Sequence, residues 1–219
     1  MQFIDIPTEQ TTALTDLLLA LVSASGVFWI VRTGFHIDKK KTIIWSTAFT
    51  LLTAAAILGA IAHGIKMSEE TNELIWQPLN LFLGLSVALF VAGVVYDFKG
   101  FKIRKSIFVL ILLFSFAFFA ITLIFPGLFF VFILYEALAM LFALISYAFL
   151  MINRKFPGAT YMTLGIFISI IAAIIQSLES LYLNFIWNFD HNGLFHLTQI
   201  IGLFFLFSGL IKEFHSRAV

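Results

Sequence analysis

Three of the five histidines lie at the edges of apolar segments, where their imidazoles could share a metal ion. His63 stands three residues before Lys66, at the end of one apolar segment. His191 and His196 lie at the start of the last apolar segment, in the stretch FDHNGLFHLTQ. Three neutral imidazoles with one open position form the ligand set of a catalytic zinc centre, which converts a bound water into a nucleophile. We therefore predict a zinc site held by His63, His191 and His196.

Five further polar residues lie in or beside apolar segments and could support such a site. An ionisable side chain in the middle of a membrane costs about 2.5–3.5 kcal/mol on insertion scales, so it usually faces the bundle interior and finds a partner there. We expect Glu179 and Asn80 to act on the substrate or on its attacking water. We expect Asp190, Gln176 and Asp16 to orient the histidine ligands without binding the metal themselves.

The spacing of His191 and His196 constrains the backbone that carries them. Residues five apart lie about 140° from each other around a regular helix, so the two imidazoles converge only if His191 precedes the helix or a π-bulge intervenes. The segment DHNG resembles a helix cap. We therefore expect the last helix to begin near Asn192 or Gly193.

The composition is typical of a membrane protein. The chain is 61% hydrophobic and 11% charged, and its mean hydropathy is +1.04, whereas soluble domains are roughly half apolar and about a quarter charged. It contains no cysteine, which excludes disulfides, thiolate metal ligands and a cysteine nucleophile. The net charge of +1 gives no indication of a nucleic-acid partner. No basic residue precedes the first apolar segment, so we interpret that segment as a membrane helix and not as a signal peptide.

Seven segments are long enough to span a membrane, since a helix needs about 20 residues to cross the hydrocarbon core. The dipeptides Pro126-Gly127 and Pro157-Gly158 interrupt the apolar sequence and predict turns. The sequence therefore predicts one all-α domain over residues 1–219, a polytopic seven-transmembrane-helix bundle in a bacterial inner membrane or a eukaryotic endomembrane. The predicted spans are 12–31, 42–65, 74–96, 106–125, 127–152, 159–187 and 193–211.

The basic residues predict the direction of the bundle, because short cytoplasmic loops are enriched in Lys and Arg. Twelve of the thirteen basic residues fall in alternate loops and in the tail, and only Lys66 falls on the other side. We therefore expect the N-terminus outside, the C-terminus in the cytoplasm, and the three histidines facing the outside or the lumen. The twelve residues are Arg32, Lys39, Lys40, Lys41, Lys99, Lys102, Arg104, Lys105, Arg154, Lys155, Lys212 and Arg217.

One histidine at the end of the second helix and two at the start of the seventh form a pattern that resembles the alkaline ceramidase and adiponectin receptor superfamily of seven-helix zinc proteins. The resemblance implies a membrane-embedded, zinc-dependent hydrolase of a lipid amide or ester, with a membrane lipid as the substrate. It also implies a calcium site in the N-terminal segment PTEQTTALTD, through Glu9 and Asp16.

Three positions differ from the motifs of that superfamily. The seventh-helix pair reads HNGLFH, one residue longer than HxxxH. Gly59 stands where the superfamily has a serine one turn before the second-helix histidine, and Asn80 is the residue nearest to its aspartate early in the third helix. Because that serine and aspartate position the zinc-bound water, the differences bear on hydrolysis more than on metal binding.

Other functions could use the same residues. A non-enzymatic, receptor-like protein could bind a metal or another ligand without turnover, and a b-type haem protein would use His63 and one seventh-helix histidine as axial ligands. Glu136, in the middle of the fifth helix, would also suit a transporter. The plainer interpretations are a histidine at the level of the lipid head groups and a protonated Glu136 that ties helices together.

Overall fold

Seven α-helices and one short β-hairpin make up the chain in a computed structural model that describes residues 2–99, 105–125 and 130–218. All seven helices are long and apolar enough to cross a membrane, which confirms the predicted all-α, seven-helix class of integral membrane protein. The elements are α1 (Pro7–Gly34), α2 (Lys39–Gly64), α3 (Glu69–Lys99), α4 (Lys105–Ile124), α5 (Phe130–Ile152), α6 (Ala159–Ser177), β1 (Tyr182–Asn184), β2 (Asn188–Asp190) and α7 (His191–Ala218).

Six of the helices form a closed ring, and α4 packs outside it. Around the ring, α1 contacts α2, which contacts α3, followed by α5, α6 and α7, and α7 returns to α1. Helix α4 packs mainly against α3 and makes little contact with α5. Only Ser115 and Phe118 of α4 are buried, so most of its surface is available to lipid.

The ring is held together by large apolar side chains that meet glycine on the neighbouring helix. Trp45 and Phe49 of α2 stack on each other, and the ring of Phe49 lies 4.7 Å from that of Phe207 on α7. Phe207 in turn fills the space beside Gly26 of α1. A Cβ atom added to Gly26 would lie 2.1 Å from the aromatic ring of Phe207. Because Gly26 has no side chain, α1 and α7 approach closely at this level.

The sixth helix is shorter than predicted, and this changes the positions of several candidate residues. It ends at Ser177 instead of residue 187, and the chain continues through a turn into the antiparallel hairpin of β1 and β2. The segment LYLNFIWNF is apolar enough to be taken for membrane helix, but it is rich in aromatic residues that favour strands. Residues 178–187 of the sixth predicted span are therefore not helical, and Asn184 lies in β1.

The helices bring all three candidate histidines to one end of the bundle, called here the histidine end. It is the end at which α1 begins, α2 finishes and α7 begins. A single bridge between Phe3 and Ile65 ties the N-terminal residues to the end of α2 there. The predicted turn at 126–127 and the start of the fifth predicted span lie outside the described residues.

Candidate functional site

One large cavity opens inside the ring at the histidine end, and the candidate residues line it. Its volume is about 970 Å³. Towards the middle of the bundle its wall is apolar, with Leu52 and Phe49 of α2 facing Leu203 and Leu206 of α7. At the histidine end the wall is polar. The candidate residues on that wall are Asp16, His63, Asn80, Gln176, Glu179, His191 and His196.

His196 is held between two residues of α1. Its Nε2 lies 3.2 Å from Oδ1 of Asp16, and its Nδ1 lies 3.1 Å from Oγ1 of Thr15. Since the Thr15 hydroxyl donates to the backbone carbonyl of Thr12 (2.9 Å), it accepts the N–H of Nδ1. Nε2 faces the carboxyl group of Asp16. All three side chains are buried, and Thr15 is not among the described residues of the cavity wall, so this line of residues does not present a nucleophilic hydroxyl to the cavity.

Asp16 occupies space that exists because residue 59 is glycine. A Cβ atom on Gly59 would lie 2.7 Å from Oδ2 of Asp16 and 3.0 Å from its Cγ. Gly59 is one turn before His63 on α2, at the position where the superfamily named above has serine. In this chain the carboxyl group of Asp16 fills that position from α1.

His63 forms a second pair, separate from that of His196. Its Nδ1 lies 2.7 Å from Oε2 of Glu9, and its ring is perpendicular to that of Trp76, with the ring centres 5.6 Å apart. Glu9 is half-buried at the start of α1. The hydrogen bond to Glu9 leaves Nε2 as the free ring nitrogen of His63.

His191 is the first residue of α7, so the helix begins one or two residues earlier than predicted. Its Nδ1 is buried without a hydrogen-bond partner. The preceding residue, Asp190, caps the helix as expected, because its Oδ1 accepts the backbone N–H of Gly193 (2.9 Å) and the hydroxyl of Thr12 (3.0 Å). Asp190 thus joins α7 to α1 and does not orient an imidazole through a hydrogen bond.

Glu179 does not lie within α6, although the predicted span 159–187 included it. It is exposed in the turn after α6, at the mouth of the cavity. Asn80, by contrast, lies within α3 and is half-buried in the cavity wall, two residues after the internal Pro78. Only Asn80 of the two predicted catalytic residues therefore lies within the bundle.

Among the described residues, four buried oxygen atoms of the cavity wall have no hydrogen-bond partner in the protein. They belong to four different helices, and each residue is less than a tenth exposed. Buried polar atoms in proteins are nearly always hydrogen-bonded, so these atoms are available to accept hydrogen bonds from a molecule in the cavity. The four are Oδ2 of Asp16, Oε2 of Glu136, Oε1 of Gln176 and Oε1 of Gln199.

Comparison with known proteins places the chain in a family. Residues 11–214 match the family model described as a family of unknown function, DUF6962. The chain belongs to DUF6962. No curated protein and no solved structure matches it. The DUF6962 match covers part or all of every helix, including all helices that line the cavity, but it assigns no chemistry to them.

The residues of this DUF6962 chain do not fit a three-histidine zinc centre as they are placed. Among the described residues, no group of three His, Asp or Glu side chains has the geometry to hold a metal ion. His196 pairs with Asp16 and His63 pairs with Glu9, so the site consists of two pairs instead of one ligand set. A zinc ion held by all three histidines would require these two pairs to rearrange.

The carboxyl groups of the predicted calcium segment also have protein partners. Glu9 pairs with His63, and Asp16 pairs with His196. Calcium requires six to eight oxygen ligands, and two carboxyl groups already engaged by imidazoles are a poor basis for them. The described N-terminal segment therefore gives no structural support to a calcium site.

A second buried polar cluster, which the sequence did not reveal, lies at the opposite end of the DUF6962 bundle. Nζ of Lys41 lies 2.8 Å from Oδ1 of Asp97, and both side chains are fully buried. Asp38 accepts hydrogen bonds from Tyr96 (3.0 Å) and from Arg217 (3.2 Å). In the sequence Lys41 and Arg217 indicate only the orientation of the bundle, because their partners are up to 179 residues away.

Proposed function

We propose that this chain is a membrane-embedded binding protein for an amphiphilic, lipid-like molecule, which it holds in the cavity. One observation carries the proposal: the same cavity combines four buried, unpartnered oxygen atoms at the histidine end with an apolar wall deeper in the bundle. A molecule with a polar head and an apolar chain matches both parts of that wall.

The unpartnered atoms provide a thermodynamic reason for binding. A buried polar group without a hydrogen bond costs roughly 1–3 kcal/mol, and a ligand that supplies the missing partners recovers this free energy. Water could satisfy the same atoms near the mouth of the cavity. The apolar wall beside Leu52 and Leu203 offers water no hydrogen bonds, however, and favours a hydrocarbon chain.

The dimensions of the cavity suit a chain-like molecule. Its volume of about 970 Å³ lies at the upper end of the usual range for small-molecule sites, roughly 300–1,000 Å³. From His196 to Leu206 the wall follows α7 for about 15 Å, at 1.5 Å per residue. A long alkyl chain lying along α7 would therefore remain within the bundle.

We propose that the bound molecule enters this cavity from the lipid bilayer between α4 and α5. The two helices make little contact with each other, yet both contribute to the cavity wall. Thr122 and Leu123 belong to α4, and Phe130 and Ile133 belong to α5. A lipid-like molecule moving in the bilayer would meet these side chains without crossing water.

The test is to measure amphiphiles bound to purified protein before and after the cavity is filled. Protein in a mild detergent would be washed and extracted with organic solvent, and the extract quantified by mass spectrometry. We expect about one amphiphile per chain in the parent protein, because the cavity has the volume of a single small-molecule site. Leu52→Trp places an indole in the cavity and should reduce the yield by about tenfold or more, since overpacking of a site costs roughly 1–3 kcal/mol.

The matched control is Leu110→Trp, which makes the same change on the exposed surface of α4. Leu110 is 53% exposed and lies away from the cavity wall. This variant should retain the amphiphile at the level of the parent protein. A parent protein that carries no amphiphile and takes up none from an added lipid extract would contradict the proposal.

A metal-dependent lipid hydrolase is the second candidate, and one observation favours it. His63, His191 and His196 line the same cavity as the carboxyl group of Asp16. Asp16 could take the part of the aspartate that the resembling superfamily carries on its third helix, and Thr15 holds His196 as a supporting residue holds a metal-bound imidazole. These groups would form a ligand set only after the two histidine pairs rearranged.

Metal content and activity distinguish this candidate from binding alone. Zinc would be measured by mass spectrometry in the parent protein and in His63→Ala and His196→Ala, each expressed with added zinc. Stoichiometric zinc that both substitutions remove, together with hydrolysis of a lipid amide or ester from a panel, would support the hydrolase. Parent protein without zinc would exclude it and leave the binding proposal intact.

A further inference from the structure

The charge of the cavity wall restricts the chemistry of any molecule bound there. The described wall contains five carboxyl groups and three imidazoles, and no lysine or arginine is among its described residues. A phosphate or carboxylate head group would meet like charges without the Lys or Arg that usually binds it. The wall thus disfavours an anionic head. Its acidic residues are Asp16, Glu69, Glu73, Glu136 and Glu179.

Two of these carboxyl groups are buried and lack a hydrogen-bond partner on one oxygen. Asp16 is 4% exposed with Oδ2 unpartnered, and Glu136 is 6% exposed with Oε2 unpartnered. Gln176 and Gln199 also lack partners, but a glutamine can turn either its oxygen or its nitrogen towards a ligand. The carboxyl groups therefore determine which charge of head group the site prefers. A carboxylate forms its strongest hydrogen bonds with a cationic donor.

We infer that the polar head of the bound molecule is a protonated amine, and that the molecule is a long-chain amine. The inference rests on the proposed function, because it requires that the cavity holds an amphiphile. An ammonium group has three donors and no acceptor, which complements a wall whose unpartnered atoms include two carboxyl oxygens. The alkyl chain would lie against the apolar wall beside Leu52, Leu203 and Leu206.

Asp16 is the residue best placed to receive the amine. Its Oδ1 is engaged by Nε2 of His196, which fixes the carboxyl group and leaves Oδ2 free beside Gly59. A carboxyl group that is already oriented loses little rotamer freedom when a ligand binds. Glu136 lies farther along the wall, on α5, and offers a second acceptor without a partner.

The experiment compares three probes with the same alkyl chain: hexadecylamine, hexadecan-1-ol and hexadecanoate. Each would displace a fluorescent alkyl probe from the purified full chain in a neutral detergent, which gives three dissociation constants. We expect the amine to bind about tenfold or more tightly than the alcohol, since hydrogen bonds to charged groups are stronger than neutral ones. Hexadecanoate should bind more weakly than the alcohol.

Two neutral substitutions and a matched control assign the effect to the wall. Asp16→Asn should remove the advantage of the amine, a loss of about tenfold, and change alcohol binding by less than about twofold. Glu136→Gln serves the same purpose if Asp16→Asn fails to fold. Glu70→Gln removes the same charge from an exposed residue outside the cavity wall and should leave all three constants unchanged.

The outcomes separate this inference from the proposed function on which it rests. Equal affinity for the three probes, or an amine preference that survives both cavity substitutions, would overturn the assignment of the amine while leaving an amphiphile site in place. Failure of all three probes and of the fluorescent probe to bind would overturn the proposed function itself.

Discussion

Replacing Lys41 with methionine should destabilise the bundle strongly, because it would leave a buried carboxylate without its cation. Nζ of Lys41 lies 2.8 Å from Oδ1 of Asp97, both side chains are fully buried, and the ring of Phe156 lies 4.4 Å from Nζ. Breaking a buried pair by removing one partner typically costs about 3–5 kcal/mol. Tyr147 still donates to Oδ2 of Asp97 (2.6 Å), so we expect a loss near the lower figure, about 3 kcal/mol.

The assay is the free energy of unfolding in a titration from mild detergent into sodium dodecyl sulfate. The double variant Lys41→Met with Asp97→Asn removes both charges and keeps an acceptor for Tyr147, so it should lose less than the sum of the two single variants. We expect a coupling energy of about 2–3 kcal/mol. Lys40→Met, at the exposed neighbouring residue, should cost about 1 kcal/mol or less. Additive losses, or a cost below about 1 kcal/mol for Lys41→Met, would refute the buried ion pair.

Three further predictions concern the histidine end. Gly59→Ala would place a Cβ atom 2.7 Å from Oδ2 of Asp16 and should lower the unfolding free energy by about 1–3 kcal/mol, while adding it to Asp16→Ala should cost much less. Similar costs in both backgrounds would argue against this contact. Asp190→Ala removes the cap of α7 and should cost about 1–2 kcal/mol in the same titration, whereas Asp190→Asn should stay within a few tenths; equal losses would show that the cap is not the cause. Ile186, 77% exposed at the tip of the hairpin, should lie among lipid head groups with Trp187. An environment-sensitive dye on Ile186→Cys in nanodiscs should therefore emit at shorter wavelength than the same dye on Glu70→Cys, and identical emission would place the hairpin in water.

The seven helices could be predicted from the sequence because spanning a membrane requires a long, nearly uncharged segment, and length and composition are local properties. The hairpin could not be predicted in the same way. The aromatic residues of the hairpin continue the apolar run of α6. Only the pairing of β1 with β2 and the contact of Asp190 with α1 show that the helix has ended at Ser177. The bounds of that helix were wrong for this reason.

The residues of the candidate site were predicted better than their contacts. Seven of the predicted side chains line one cavity. Consecutive helices run in opposite directions, so residues at the end of α2 and at the start of α7 lie at the same end of the bundle. The partners within the site depend on pairs distant in the sequence: Thr15 lies 181 residues from His196, and Glu9 lies 54 residues from His63. Gln199 also lines the cavity but was not predicted to do so. Its position could have been predicted, because it lies one helical turn after His196 and therefore on the same face of α7.

The most direct test of the central claim is an electron cryomicroscopy map of the chain purified in its native lipids. The account predicts elongated density inside the ring, with its polar end within hydrogen-bonding distance of Oδ2 of Asp16 and its chain beside Leu52 and Leu203. A cavity that contains only ordered water would contradict it. So would a compact peak bound by His63, His191 and His196 with no elongated density beside it, which would instead support the metal-dependent hydrolase.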